Sequence, residues 1–170
     1  MSDFDAGRKI EATQVRLRLV EVEQTIYENA QPVGRVEAVV TGVGRGVDPL
    51  PKSGWKSFAV PGRWGGRDQT TWFRMKYTVP KAMQGKTLYA RFAAGGESLA
   101  YVNGKPAQGI DGNHTELLLT EKAKVGQTFE IVLETTPGVW HDAYHLFEKA
   151  EVVSFNKPAW DFYWDGIVAH

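Results

Sequence analysis

TTWFRMKYTVP, residues 70–80, places Phe73, Met75, Tyr77 and Val79 at alternate positions, with Arg74, Lys76 and Thr78 between them. Successive side chains of a β-strand point to opposite faces, so this spacing predicts a strand with one buried side. The same period recurs on both sides of it. Leu88, Ala90 and Phe92 oppose Tyr89 and Arg91, and Phe129, Ile131 and Leu133 oppose Glu130 and Glu134. Further short runs of strand character lie at 35–42, 55–60, 97–104, 115–120 and 149–155, separated by glycine, proline and asparagine. Eight such strands predict a mainly β chain, an antiparallel β-sandwich of the jelly-roll or galactose-binding-domain-like kind. In YVNGKP, Asn103 and Gly104 can both take positive φ, which predicts a two-residue hairpin turn.

Working toward the N-terminus, residues 8–28 admit two periods. Val15, Leu17 and Leu19 alternate, whereas Ala12, Val15, Leu19, Val22 and Ile26 step by three and four. Length, the absence of glycine and proline, and a supply of Glu, Gln, Arg and Leu decide for an N-terminal helix, ended by a break at ENAQPVG. The expected organisation is a helical segment over 1–33, the sandwich over 34–156, and a tail over 157–170. In that tail Pro158 can start a helix, and Trp160, Phe162, Tyr163 and Trp164 crowd large rings together, to fold back on the domain or to meet a neighbour.

Lys plus Arg and Asp plus Glu number 20 each, with no basic block, so the electrostatic footprint of a nucleic-acid or anionic-membrane partner is missing. No run is long and apolar enough to span a bilayer. The 170 residues hold no cysteine, which removes disulfides and thiolate zinc ligation. The opening residues have no apolar signal region, and the expected setting is cytoplasmic. The sequon at Asn113 is read as chance.

Two stretches have metal-ligand spacing: His141 and His145 with Asp142 between them, and Asp111 with His114. The first lies in too short a helical context to aim both imidazoles at one ion. The second reads equally as an Asx-type turn, in which a side-chain oxygen caps backbone N–H groups. No Gly-x-Ser-x-Gly elbow, phosphate loop or distinctive carboxylate pair is present. Exposed tryptophans that stack on sugars, with Arg, Asp and Asn for the hydroxyls, would make a carbohydrate surface from Trp64, Arg67, Asp68, Asp111, Asn113 and His114. Trp72, next to the inward-facing run, is assigned to the core or an interface, and Arg74 to a solvated or salt-bridged position. Trp64, set among glycines and arginines in an open loop at 60–69, divides between interdomain packing and sugar contact.

The stretch 55–80, WKSFAVPGRWGGRDQTTWFRMKYTVP, followed at 97–120 by ESLAYVNGKPAQGIDGNHTELLLT, resembles the N-terminal β domain of family 38 glycoside hydrolases, the zinc-dependent α-mannosidases of yeast vacuolar and bacterial type. The resemblance rests on the Trp-Gly-Gly loop at 64–66, the strand at 70–74, the turn at 102–104 and the Asp-x-Asn-His loop at 111–114. It spans almost the whole chain. It implies that the chemistry, retaining hydrolysis of α-mannosides with a zinc ion held by His and Asp and an Asp nucleophile, belongs to a following α/β barrel domain. This chain would then need no cofactor of its own, its partner would be that catalytic domain, and 157–170 would be the linker toward it. The alternative is a stand-alone carbohydrate-binding or protein-interaction module that takes mannose-containing glycans.

Overall fold

The structure is a computed structural model that describes residues 3–42, 50–137 and 144–169, with side chains from residue 13 onward. Helix α1 runs over Asp3–Glu23. The strands follow as β1 (Tyr27–Pro32), β2 (Val36–Gly42), β3 (Lys56–Phe58), β4 (Gly62–Gly65), β5 (Gln69–Thr78), β6 (Leu88–Ala93), β7 (Glu97–Val102), β8 (Lys105–Ile110), β9 (Glu116–Thr120), β10 (Thr128–Thr136), β11 (Tyr144–Phe147) and β12 (Lys149–Phe155). Helix α2 closes the order over Lys157–Val168. The strands form a six-stranded sheet, β3-β2-β5-β10-β7-β8, a four-stranded sheet, β1-β12-β6-β9, and a ribbon of β11 with β4. All pairings are antiparallel.

The expected alternation is present where it matters. Phe73, Met75, Tyr77 and Val79 of the β5 segment, Leu88, Ala90 and Phe92 of β6, and Phe129, Ile131 and Leu133 of β10 all enter one core between the two larger sheets. β10 is central, paired with β5 on one side and β7 on the other. Its opposite face carries a second cluster, in which Trp72, Tyr101 and Val132 are covered by Val39, Leu50, Trp55 and Leu99. Trp72 is therefore buried, on the face away from Phe73, and its indole N–H donates to Thr41 Oγ1. Glu134 faces that cluster too, buried and accepting from the Tyr101 hydroxyl at 2.8 Å. Arg74 is salt-bridged as expected, donating to Glu37 at 2.7 and 3.2 Å with its guanidinium 4.4 Å from the Trp55 ring. Those hydrogen bonds hold the Glu37 carboxyl below its ordinary pKa. The hairpin at 103–104 has φ of 51° and 76°, as a type I′ turn requires.

Several expectations need correction. The helix stops at Glu23, where Thr25 turns its hydroxyl back to the Val22 carbonyl. The supposed break at ENAQPVG is largely strand β1, which belongs to the four-stranded sheet and pairs with β12. Its side chains are mostly exposed and Asn29 sits at φ 56°, shifting the register, so no period-two apolar signal marks it. β8 has the same character, an exposed edge strand that holds Pro106 and Gly109. The loop at 60–69 contains β4, registered against β11 with Trp64 opposite His145. The tail is the helix α2, whose cap is Asn156, accepting from the Ala159 N–H at 3.2 Å, with Pro158 in the first turn. No helix among the described residues is long and apolar enough to cross a membrane.

Candidate functional site

The turn between β8 and β9 is built around one carboxylate. Asp111 Oδ1 accepts the backbone N–H of Asn113 at 2.7 Å and of His114 at 2.8 Å, and both of its oxygens lie 3.1 to 3.2 Å from His114 Nδ1. Asp111 is followed at two residues by Asn113, at three by His114, which is the Asx spacing. The donated hydrogen bonds, Asn113's first and His114's after it, hold the Asp111 carboxyl below the usual carboxylate range. Asp111 is thus an ionised acceptor at neutral pH, unsuited to donate a proton.

The turn forms one wall of a groove of about 310 Å3. The opposite wall is the β6–β7 connection with Gly95 and Gly96, and Leu146 and Glu148 complete the rim. Gly95 and Gly96 have φ of 66° and 70°, and a Cβ at Gly96 would come within 2.9 Å of the Trp64 ring. Trp64 therefore lies under the groove. It is 5% exposed, its indole N–H donates to the Ala94 carbonyl at 2.7 Å, it meets Phe73 edge-on at 5.7 Å, and it stacks on His145 at 5.2 Å. Both roles expected of Trp64, sugar stacking and packing against a neighbouring domain, require an exposed ring. This one is core, because β4 pairs with β11 and folds the indole inward.

Of the other expected site residues, Asn113 and His114 stay with Asp111 in the turn. Arg67 and Asp68 sit apart, in an exposed turn with an ion pair at 3.7 Å, and neither lines the groove. Ser98, Leu146, Glu148 and the glycine pair were not legible as site residues, since each becomes a wall only through pairing across the sheets. Among the described residues no three His, Asp or Glu side chains converge as a metal would need. Asp111 and His114 bond to each other, and that donor set does not fit a zinc ion. His141 and Asp142 lie outside the described residues, while His145 is turned onto Trp64.

The Asp111 geometry has a measurable consequence. Because its pKa is depressed in the fold, its contribution is fully present at neutral pH and above the ordinary aspartate pKa, and is lost as pH falls through the lowered value. In pH-resolved NMR, the Asn113 and His114 amide resonances should titrate together at this low pH. Asp111→Ala should raise their hydrogen-exchange rates at every pH. An amide midpoint at or above the ordinary aspartate value would contradict the turn.

Residues 45–139, over half of the 170, match the family described as the jelly roll domain of α-mannosidase. Human α-mannosidase 2C1 is 34% identical over 55 residues, which are 31% of this chain and 5% of that protein. Among solved structures, β-glucuronidase 2 of Bacteroides uniformis superposes with TM-score 0.56 at 17% identity, over 74% of this chain and 18% of that one. The Ruminococcus gnavus β-glucuronidase does so with TM-score 0.51 at 14% identity, over 76% and 29%. Those two likenesses concern the fold alone.

Proposed function

Because this chain belongs to the α-mannosidase jelly roll family, we propose that it is the non-catalytic β-sandwich domain of a family 38 glycoside hydrolase that removes terminal α-D-mannosides. In this reading it supports a catalytic domain, and the Asp111 turn borders that domain's substrate cleft. The zinc and the nucleophile belong to the catalytic domain. A cysteine-free sequence supports a cytoplasmic setting.

The observation that carries the docking role is the state of the helices. Across residues 13–23 of α1 only Leu19 is buried, against Gly166 of α2, while Leu17 and Val20 are 61% and 51% exposed. No residue of α2 is buried. A helix draws most of its stability from packing an apolar face, and residues 13–23 of α1 find little of that within this domain. In this reading the exposed Leu17 and Val20 meet the catalytic domain.

The test uses a family α-mannosidase deprived of its own jelly roll domain. The 170-residue chain should associate with it in calorimetry, and Leu17→Asp with Val20→Asp should weaken association by about tenfold or more. Both positions are exposed, so the fold should be unaffected. No association with a folded catalytic domain, or association indifferent to both substitutions, would defeat this reading.

A further inference from the structure

A second groove, of about 450 Å3, lies between the helix pair and the outer face of the four-stranded sheet. This is within the roughly 300 to 1,000 Å3 of small-ligand sites. One side is a continuous run of aromatic rings. Tyr27 packs on Phe155 at 5.8 Å, Phe155 on Trp160 at 6.4 Å, Trp160 on Trp164 at 6.0 Å, and Trp164 on Tyr163 at 5.4 Å. Trp160 and Trp164 are 40% and 46% exposed, so their surfaces are accessible from solvent.

The other side is polar and carries both signs. Arg91 lies 4.5 Å over the Tyr27 ring, with Nε 3.5 Å from Glu116 and a terminal nitrogen 3.8 Å from Glu151. Those are ion-pair separations without hydrogen bonds, and Arg91 Nε is shielded from solvent with no hydrogen-bond partner among the described residues. Nε is out of a ligand's reach, so the groups left to one are the terminal guanidinium nitrogens and the Glu116 carboxylate, on side chains that both line the groove. Burial pushes the Tyr27 phenol up, and Glu116 pushes it further, so its O–H stays neutral beside them.

We propose that this groove is a binding site for a neutral hexopyranose unit of a glycan, stacked on Trp164 and edged by Trp160, with vicinal hydroxyls bridging Arg91 and Glu116. An anion would meet Glu116, and a cation would meet Arg91. A vicinal diol both donates and accepts, and so satisfies the two together. Trp160 and Trp164 are inclined at 57° in contact with each other, so one ring can take a flat face while its neighbour borders the edge; an aromatic cage for a quaternary ammonium needs rings standing around an open centre. A sugar's C–H face needs one accessible ring face, and Trp164 is 46% exposed. The docking role also draws on the exposure of α2, but its test reads Leu17 and Val20 of α1, which do not line this groove, so the sugar site goes beyond that role and is tested apart from it.

The test is titration of the 170-residue chain with mannotriose, followed by tryptophan fluorescence and by the indole N–H resonances of Trp160 and Trp164. Saturable binding with a Kd on the order of 1 mM is expected, with those two indoles shifting and the Trp64 indole still. Trp164→Ala should weaken it by about tenfold or more, and the isosteric Glu116→Gln by about fivefold, while Tyr144→Ala, at an exposed position of the β11–β4 ribbon, should leave it unchanged. No saturation with mannotriose or maltotriose, saturation by choline in place of sugar, or binding that survives both substitutions would overturn the proposal. A chain that binds the catalytic domain but no sugar sinks this inference and leaves the docking role intact.

Discussion

Trp64→Ala should destabilise the domain by about 3 to 5 kcal/mol, the range for emptying a buried aromatic site. For a chain of this size that lowers Tm by about 6 to 20 °C. The indole fills space between Phe73 and His145 and anchors the β11–β4 ribbon through its bond to the Ala94 carbonyl. Removing it leaves a cavity and an unpaired carbonyl in one step. Trp64→Phe retains much of the ring volume and loses the hydrogen bond, so a loss of about 1 to 2 kcal/mol is expected. Urea unfolding of the two variants at equal m-value separates these effects. A surface tryptophan that served only to meet a ligand would change stability by no more than about 0.5 kcal/mol on truncation, and that result would contradict the burial described here.

The second large effect is at Gly96. Its φ of 70° lies in the left-handed region, and a Cβ there would run into the Thr136 carbonyl oxygen and come within 2.9 Å of the Trp64 ring. The first contact is with the backbone of β10, a strand held on both sides, so it cannot yield as a flexible side chain would. Gly104 supplies the control. It has φ of 76° and open space around it, so Gly104→Ala meets only the conformational cost. Thermal melts should give a loss of about 1 kcal/mol for Gly104→Ala and about 3 to 4 kcal/mol for Gly96→Ala. Equal losses would mean that the glycine's close approach to Trp64 and β10 has no energetic weight.

Much of the sandwich is legible in the sequence because its strands announce themselves locally. β5, β6 and β10 alternate apolar and polar residues, so the inward faces could be assigned without knowing what they meet. The Asn103–Gly104 hairpin and the Asp111 turn are also local, each set by residue types within three positions of one another. β1 and β8 are edge strands with mostly exposed side chains, and β4 is short and rich in glycine; none has a periodic pattern to read. The candidate grooves were less legible still. Arg91 and Tyr89 could be placed on the outward face of β6, but nothing near them in sequence indicates that Tyr27 and α2 arrive on the same side.

The amino-acid sequence by itself determined the fold class, the inward faces of the main strands, the hairpin turn, and the motifs that carry the resemblance to the α-mannosidases. Tertiary structure alone decided that Trp64 is core, that its loop is half of a ribbon with β11, and that Arg91, Glu116 and the α2 tryptophans border one groove. The physical reason is the range of the interactions. Periodicity and turn chemistry act within a few residues, whereas the burial of a glycine-flanked tryptophan depends on which distant strand pairs with its own, here the one that carries His145.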